Sequence, residues 1–239
     1  VITEIEMNKA LATSLLVAIF SSGNALATAI SPAYDTFGTL AGATFGGSGI
    51  PNDAVAITTI GAAGTAEVTL GLTAHERFVP PTVTNDGAGT FFADAGVSSV
   101  SPSPGDPYAL WNFAFYLGGP GLNSYDYKFF YDFDPGQNTD DSLHGVITIP
   151  GGNLSDPSQN SWNLGMNFLA TSIPGLVAPV FGPFDPNAKG EYTFALVAYG
   201  KTSGQEVGRS AIRVNVPEPG TLALLGLGLA GLAGLRRKH

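Results

Sequence analysis

Leu110-Trp111-Asn112-Phe113-Ala114-Phe115-Tyr116-Leu117 and Tyr125-Asp126-Tyr127-Lys128-Phe129-Phe130-Tyr131-Asp132-Phe133 place a ring or an aliphatic chain at every second position. Successive side chains of an extended strand point to opposite faces, so a period of two gathers Trp111, Phe113, Phe115 and Leu117 on one face. Tyr127, Phe129, Tyr131 and Phe133 are gathered in the same way on a second strand. The alternation recurs at Thr65–Thr73, Val146–Ile149, Trp162–Phe168 and Glu191–Tyr199, and more weakly at Ala54–Ile60, Thr90–Ala93 and Ser210–Val216. Gly, Pro, Asn and Asp separate these runs, and no eleven-residue stretch between Thr28 and Val216 keeps helical spacing. Eight or nine short strands with one apolar face each need a second sheet to cover them. The expected fold class is therefore all-β, a β-sandwich of immunoglobulin-like or jelly-roll topology. A charged fraction of only 12% and 32 glycines suit a turn-rich domain of this kind.

Within this pattern, Asp185-Pro186-Asn187-Ala188-Lys189-Gly190-Glu191-Tyr192-Thr193-Phe194 is similar to the turn-then-strand of immunoglobulin-like sandwiches. That resemblance implies that the Tyr192 hydroxyl bonds back to the preceding corner and that Phe194 fills the core two residues on. The spacing from Asp185 is longer than the usual pattern, and the chain has no cysteine to form the two-cysteine hallmark.

The far end of the chain has a different grammar. Pro217-Glu218-Pro219 is followed by a charge-free run, Thr221–Leu235, and then by Arg236-Arg237-Lys238-His239. As a helix those fifteen residues reach roughly 22 Å, against roughly 30 Å for the hydrocarbon core of a bilayer. Four glycines lower its helix propensity further, and the two prolines fix an extended neck before it. Under the positive-inside rule the basic cluster stays cytoplasmic and everything before Pro217 lies across the membrane. Val216-Pro217-Glu218-Pro219-Gly220-Thr221, the Leu/Gly/Ala run and the basic end together resemble the PEP-CTERM sorting signal, a tail also known as the ice-binding protein C-terminal domain. The resemblance implies processing by exosortase, a membrane-embedded enzyme of Gram-negative bacteria that make exopolysaccharide. By the same resemblance the tail is recognised at Pro217, Glu218 and Pro219 and cleaved, and the body is released or attached at the cell surface.

The near end agrees with export. Met7-Asn8-Lys9 gives a positive n-region, Ala10–Phe20 an apolar h-region, and Ala25-Leu26-Ala27 an A-x-A cleavage site, so Thr28 is the expected first mature residue. Val1–Glu6 precede this pattern and are left out of fold reasoning. The chain thus divides into upstream residues and a signal helix (1–27), a β-sandwich body (28–216), and a sorting signal with a transmembrane helix and basic tail (217–239).

The body carries 16 acids against six bases, a net charge of −10. Such a surface repels phosphate backbones, which argues against nucleic-acid partners. Without cysteine, neither disulfides nor thiolate metal sites can hold it. Asp132-Phe133-Asp134-Pro135-Gly136-Gln137-Asn138-Thr139-Asp140-Asp141 is the one acidic cluster, and Asp132, Asp134, Asn138, Asp140 and Asp141 are candidate calcium ligands. It departs from the EF-hand pattern in the third ligand, the glycine and Leu143 in place of the last glutamate, and the alternative is a solvated hairpin turn bent at Pro135-Gly136. Tyr125, Tyr127, Phe130 and Tyr131 put rings on both faces of one strand, so a partly open face is a candidate platform for stacking sugar rings, and the alternative is a strand buried on both faces between sheet and loop.

Catalysis finds little support. His75, His144 and His239 are isolated in sequence and read as surface or turn residues, and Gly46-Gly47-Ser48-Gly49 ends in Ile50, so it is a glycine-rich loop and no nucleophile elbow. The expectation is a non-catalytic structural or adhesive protein at the cell surface or in the matrix. A calcium- or polysaccharide-binding module is the alternative, and a secreted hydrolase is the third class.

Overall fold

The computed structural model describes residues 28–61, 67–78, 82–100 and 107–218. Twelve strands run through them: β1 (Thr36–Gly38), β2 (Val55–Ile60), β3 (Val68–Glu76), β4 (Thr84–Asn85), β5 (Thr90–Phe92), β6 (Trp111–Gly118), β7 (Tyr125–Tyr131), β8 (Gly145–Ile149), β9 (Ser158–Trp162), β10 (Leu176–Val177), β11 (Gly190–Gly200) and β12 (Glu206–Val216). They form a five-stranded sheet, β1-β2-β3-β6-β9, and a seven-stranded sheet, β10-β8-β7-β11-β12-β5-β4. All pairings are antiparallel except β12 with β5.

The alternating rings account for how the sheets meet. Trp111, Phe113, Phe115 and Leu117 of β6 point the same way as Leu70, Leu72 and Ala74 of β3, and Tyr127, Phe129 and Tyr131 of β7 join Tyr192, Phe194 and Leu196 of β11 in the same buried cluster. Phe113 stacks on Phe129 at 5.2 Å and on Phe194 at 4.8 Å between centroids, so rings from both sheets interleave. Each fully buried ring stabilises the packing by roughly 2–3 kcal/mol, which favours this single register over a slip that would turn the rings outward.

Each sheet also has a covered outer face. The loop from Leu40 to Pro51 folds over the five-stranded sheet, where Phe45 is buried with Ala43, Val55 and Ala114. Thr28–Ala33 crosses the seven-stranded sheet, where Ile30 packs on Ala195, Val197 and Ala211. Ala33 and Ala211 exchange both backbone hydrogen bonds, at 3.1 and 2.7 Å, so the chain from Thr28 onward is built into the fold.

Several expectations move. The run Trp162–Phe168 is not a strand, because Trp162 ends β9 and Asn167–Ala170 forms a 3-10 turn. The cause is Asn163, whose side chain bonds the Ala109 and Trp111 carbonyls at 3.0 and 2.8 Å and so draws the backbone out of the ladder. Ser158–Trp162 is the part that pairs with β6, and its first four residues are polar and unanticipated. The strand expected at Thr65–Thr73 runs three residues further, to Glu76, while Thr65 and Ala66 fall outside the described residues. The helices expected in 1–27 and 217–239 also fall outside them, apart from Pro217 and Glu218; among the described residues no helix is long and apolar enough to cross a membrane.

Candidate functional site

A groove of about 540 Å³ opens on the outer side of the five-stranded sheet, between the Gly46–Pro51 loop and the end of β3. Pleating puts His75, Asn112 and Ser161 on that side, since His75 pairs with Asn112 and Ala114 with Ser161. The loop forming one wall is fixed from the sheet: Gln159 Oε1 accepts the Thr44 and Phe45 N–H groups at 2.9 and 2.7 Å. The Glu76 carbonyl can only accept, so the neutral His75 ring carries its proton on Nδ1, 2.7 Å from that oxygen. Its Nε2 then accepts the Ser161 hydroxyl at 2.8 Å. Burial pushes the His75 imidazole below its ordinary value, which keeps it uncharged at pH 7. Asn112 donates to Ser161 Oγ at 2.9 Å, and its own oxygen accepts from Asn163 at 2.8 Å and Arg77 Nη1 at 3.4 Å. Arg77 is only 6% exposed, and its guanidinium carbon lies 4.6 Å from the ring centroids of both Phe78 and Tyr108.

The acidic loop is arranged otherwise than its sequence pattern requires for calcium. Asp132 is buried: Oδ1 accepts the Asp134 N–H at 2.8 Å, and Oδ2 lies 3.5 Å from Thr193 Oγ1 and 3.7 Å from His144 Nε2. Burial pushes its carboxyl up to about 7 and pushes the neighbouring His144 imidazole down, so the low-dielectric surroundings disfavour charge on both. Asp134 accepts the Gly136 N–H at 2.8 Å, while Asp140 caps the following 3-10 turn by accepting Ser142 N and Oγ at 2.9 and 2.6 Å. The Asn138 N–H donates to Glu191 at 3.2 Å, and Asp141 opens the 3-10 turn. Among the described residues no three His, Cys, Asp or Glu side chains gather to hold a metal.

The aromatic strand does not present one platform. Tyr127 and Tyr131 are in the core, with hydroxyls donating to the Leu122 and Leu169 carbonyls, each at 2.6 Å. Tyr125 is half-buried and donates to Glu67 at 2.9 Å, whereas Phe130 packs on the opposite face beside Ile30. The exposed ring of the groove is Phe78, 70% accessible and held at a φ of 62°. A bulky residue in that backbone region is a strained outlier, of the kind found at ligand clamps.

In the seven-stranded sheet β12 finishes at Val216, which pairs with Gly190 and is buried, and the next two residues, Pro217 and Glu218, are exposed. Proline has no N–H to continue the ladder, so the strand stops where the Pro-Glu-Pro triplet begins. A family model for the PEP-CTERM protein-sorting motif matches residues 215–238. The chain carries a PEP-CTERM sorting signal. The matched segment starts at Asn215, inside β12, so the PEP-CTERM motif overlaps the last strand by two residues. The signal implies export and cell-surface sorting by exosortase. No curated protein and no solved structure matches the chain. Ala25 and Ala27 of the expected signal-peptide site lie outside the described residues, as do Pro219, Arg236, Arg237 and Lys238; Thr28 is the first residue inside them.

Sequence reasoning placed His75 and His144 at the surface or in turns, and both are buried against a hydroxyl. A lone histidine in an alternating strand carries no local mark of its partner. The one available signal was the residue pairing: once β3, β6 and β9 are neighbours, His75, Asn112 and Ser161 share a face.

Proposed function

We propose that this protein is a non-catalytic adhesive or structural component of the cell surface or extracellular matrix, delivered there through its PEP-CTERM tail. The observation that carries the reading is the sorting motif at 215–238, which begins in the last strand of an all-β body and leaves Pro217 and Glu218 accessible. The body, residues 28–216, is a single immunoglobulin-like sandwich. In favour of that topology, β7-β11-β12 stand in the C-F-G order and β6-β9 in the B-E order of such domains. The Tyr192 hydroxyl, near the start of β11, donates back to the Ala188 carbonyl at 3.2 Å as a tyrosine corner does.

In this reading 1–27 contain the signal peptide, cut after Ala27, and 219–239 supply the membrane helix and basic stop that present Pro217-Glu218-Pro219 to exosortase. The partners are exosortase and the secretion machinery, the membrane before processing, and exopolysaccharide at the destination, in a Gram-negative host. The non-catalytic assignment is supported by the groove: Nδ1 of His75 faces a backbone carbonyl where an acyl-transfer triad would place a carboxylate. Replacing Pro217-Glu218-Pro219 by three alanines tests the reading in cells that encode exosortase. The variant should accumulate unprocessed in the membrane fraction, and surface display at the wild-type level would refute it. Hydrolysis of any polysaccharide in a screen with the purified protein would overturn the non-catalytic part.

A further inference from the structure

The groove beside Phe78 contains a cation, Arg77, that makes no ion pair among the described residues. Arg77 is almost wholly buried, yet among the described residues no carboxylate pairs with it, and only Nε and Nη1 find acceptors, the Val100 carbonyl and Asn112 Oδ1, both at a long 3.4 Å. Burying a guanidinium costs solvation that weak neutral contacts do not restore, and burial pushes its pKa below the ordinary arginine value. The chain has a net charge of −9, yet none of the carboxylates among the described residues is placed against this cation. The guanidinium, planar by resonance, lies 4.6 Å from the centroids of two rings that limit its movement, and its fixed fork fits a planar carboxylate. Next to it lie a hydroxyl and amides, from Ser161, Asn112 and Asn160, and the open face of Phe78. A ring face with a polar edge fits a sugar ring, which offers C–H groups on one side and hydroxyls around its rim.

We propose that this groove binds a carboxylate-bearing sugar unit of an acidic polysaccharide, with the carboxylate on Arg77, the ring over Phe78, and hydroxyls on Asn112, Asn160 and Ser161. Glu76 also lines the groove and serves as an acceptor for sugar hydroxyls, not as a partner of the anion. The inference deepens the adhesive reading above and rests on it for the ligand's setting.

Calorimetric titration of the full chain with a uronic-acid trisaccharide, its methyl ester and acetate tests the site. The acid should bind, and esterification, which removes the charge and keeps the ring, should weaken binding by roughly tenfold or more. Arg77→Lys should weaken the acid by a similar factor because it retains charge but loses the fork. Phe78→Ala, at a 70% exposed position, should weaken it with only a small fall in melting temperature from the lost contact with Arg77, which covers the case in which the Arg77 variant fails to fold. Equal affinity for acid and ester, no binding of the acid, or acetate binding as tightly as the trisaccharide would each overturn the proposal. Surface display of the same variants, read by antibody on intact cells, is independent of the groove. Normal display with no acid binding would remove the site and leave the sorting and adhesive reading in place.

Discussion

Phe113→Ala is the substitution that bears hardest on the packing of the two sheets. The ring is fully buried, stacked on Phe129 and Phe194 from the opposite sheet and met edge-on by Trp162 at 6.1 Å. Truncating it removes buried apolar area and leaves a cavity that β6, pinned by ladders to β3 and β9, cannot close. Such truncations cost about 3–5 kcal/mol, and the lost ring pairs place this one toward the upper end. For a body of this size each kcal/mol lowers the melting temperature by about 2–4 °C, so a fall of roughly 6–20 °C is expected. Thermal unfolding followed by near-ultraviolet circular dichroism measures it, with Phe78→Ala as the exposed control expected to stay near wild type. A loss below about 1 kcal/mol for Phe113→Ala would refute the shared core, since a ring so placed cannot be removed at surface cost.

Tyr192→Phe removes only the hydroxyl that donates to Ala188, and should destabilise the body by about 1 kcal/mol in urea titrations. Asp132 has a folded pKa of about 7, above its unfolded value of 3.8, so its contribution is present below pH 3.8 and is lost as pH rises through 7. Asp132→Asn should therefore gain on wild type between pH 4 and pH 8, by roughly 4 kcal/mol at most, and an unchanged difference across that range would contradict it. His75 and His144 run the other way, because folding holds both below 6.5: wild-type stability contributed by their neutral forms is present above pH 6.5 and declines as the solution is acidified below it. Millimolar calcium should leave the melting temperature within about 1 °C of the calcium-free value, since the acids of the 132–141 loop do not converge.

Much of the fold could be read from β6, β7 and β11, where alternation is strict because one face meets the core. Reading failed where side chains hold a loop or a polar network instead of the shared core. Ser158–Ser161 shows no apolar alternation, since Gln159 reaches out to hold the Leu40–Pro51 loop and Ser161 joins the groove network. Trp162–Phe168 alternates but is not a strand, because one amide side chain, Asn163, competes for the backbone. The groove was illegible for a different reason: Ser161 stands 86 residues from His75 and 49 from Asn112, and only sheet order brings them together. The aromatic strand carries rings on both faces because both are packed, Tyr127 and Tyr131 in the core and Phe130 against the outer cluster, as the alternative to an open platform had it. The sorting motif was legible because it is contiguous in sequence and needs no tertiary neighbour to be recognised.

The most direct test of the account is peptide mass spectrometry of the envelope and culture supernatant from cells that encode exosortase. The account predicts a mature N-terminus at Thr28 and no peptide extending beyond Pro217-Glu218-Pro219. Recovery of an intact cytoplasmic chain that retains both Met7–Ala27 and Thr221–His239 would contradict it.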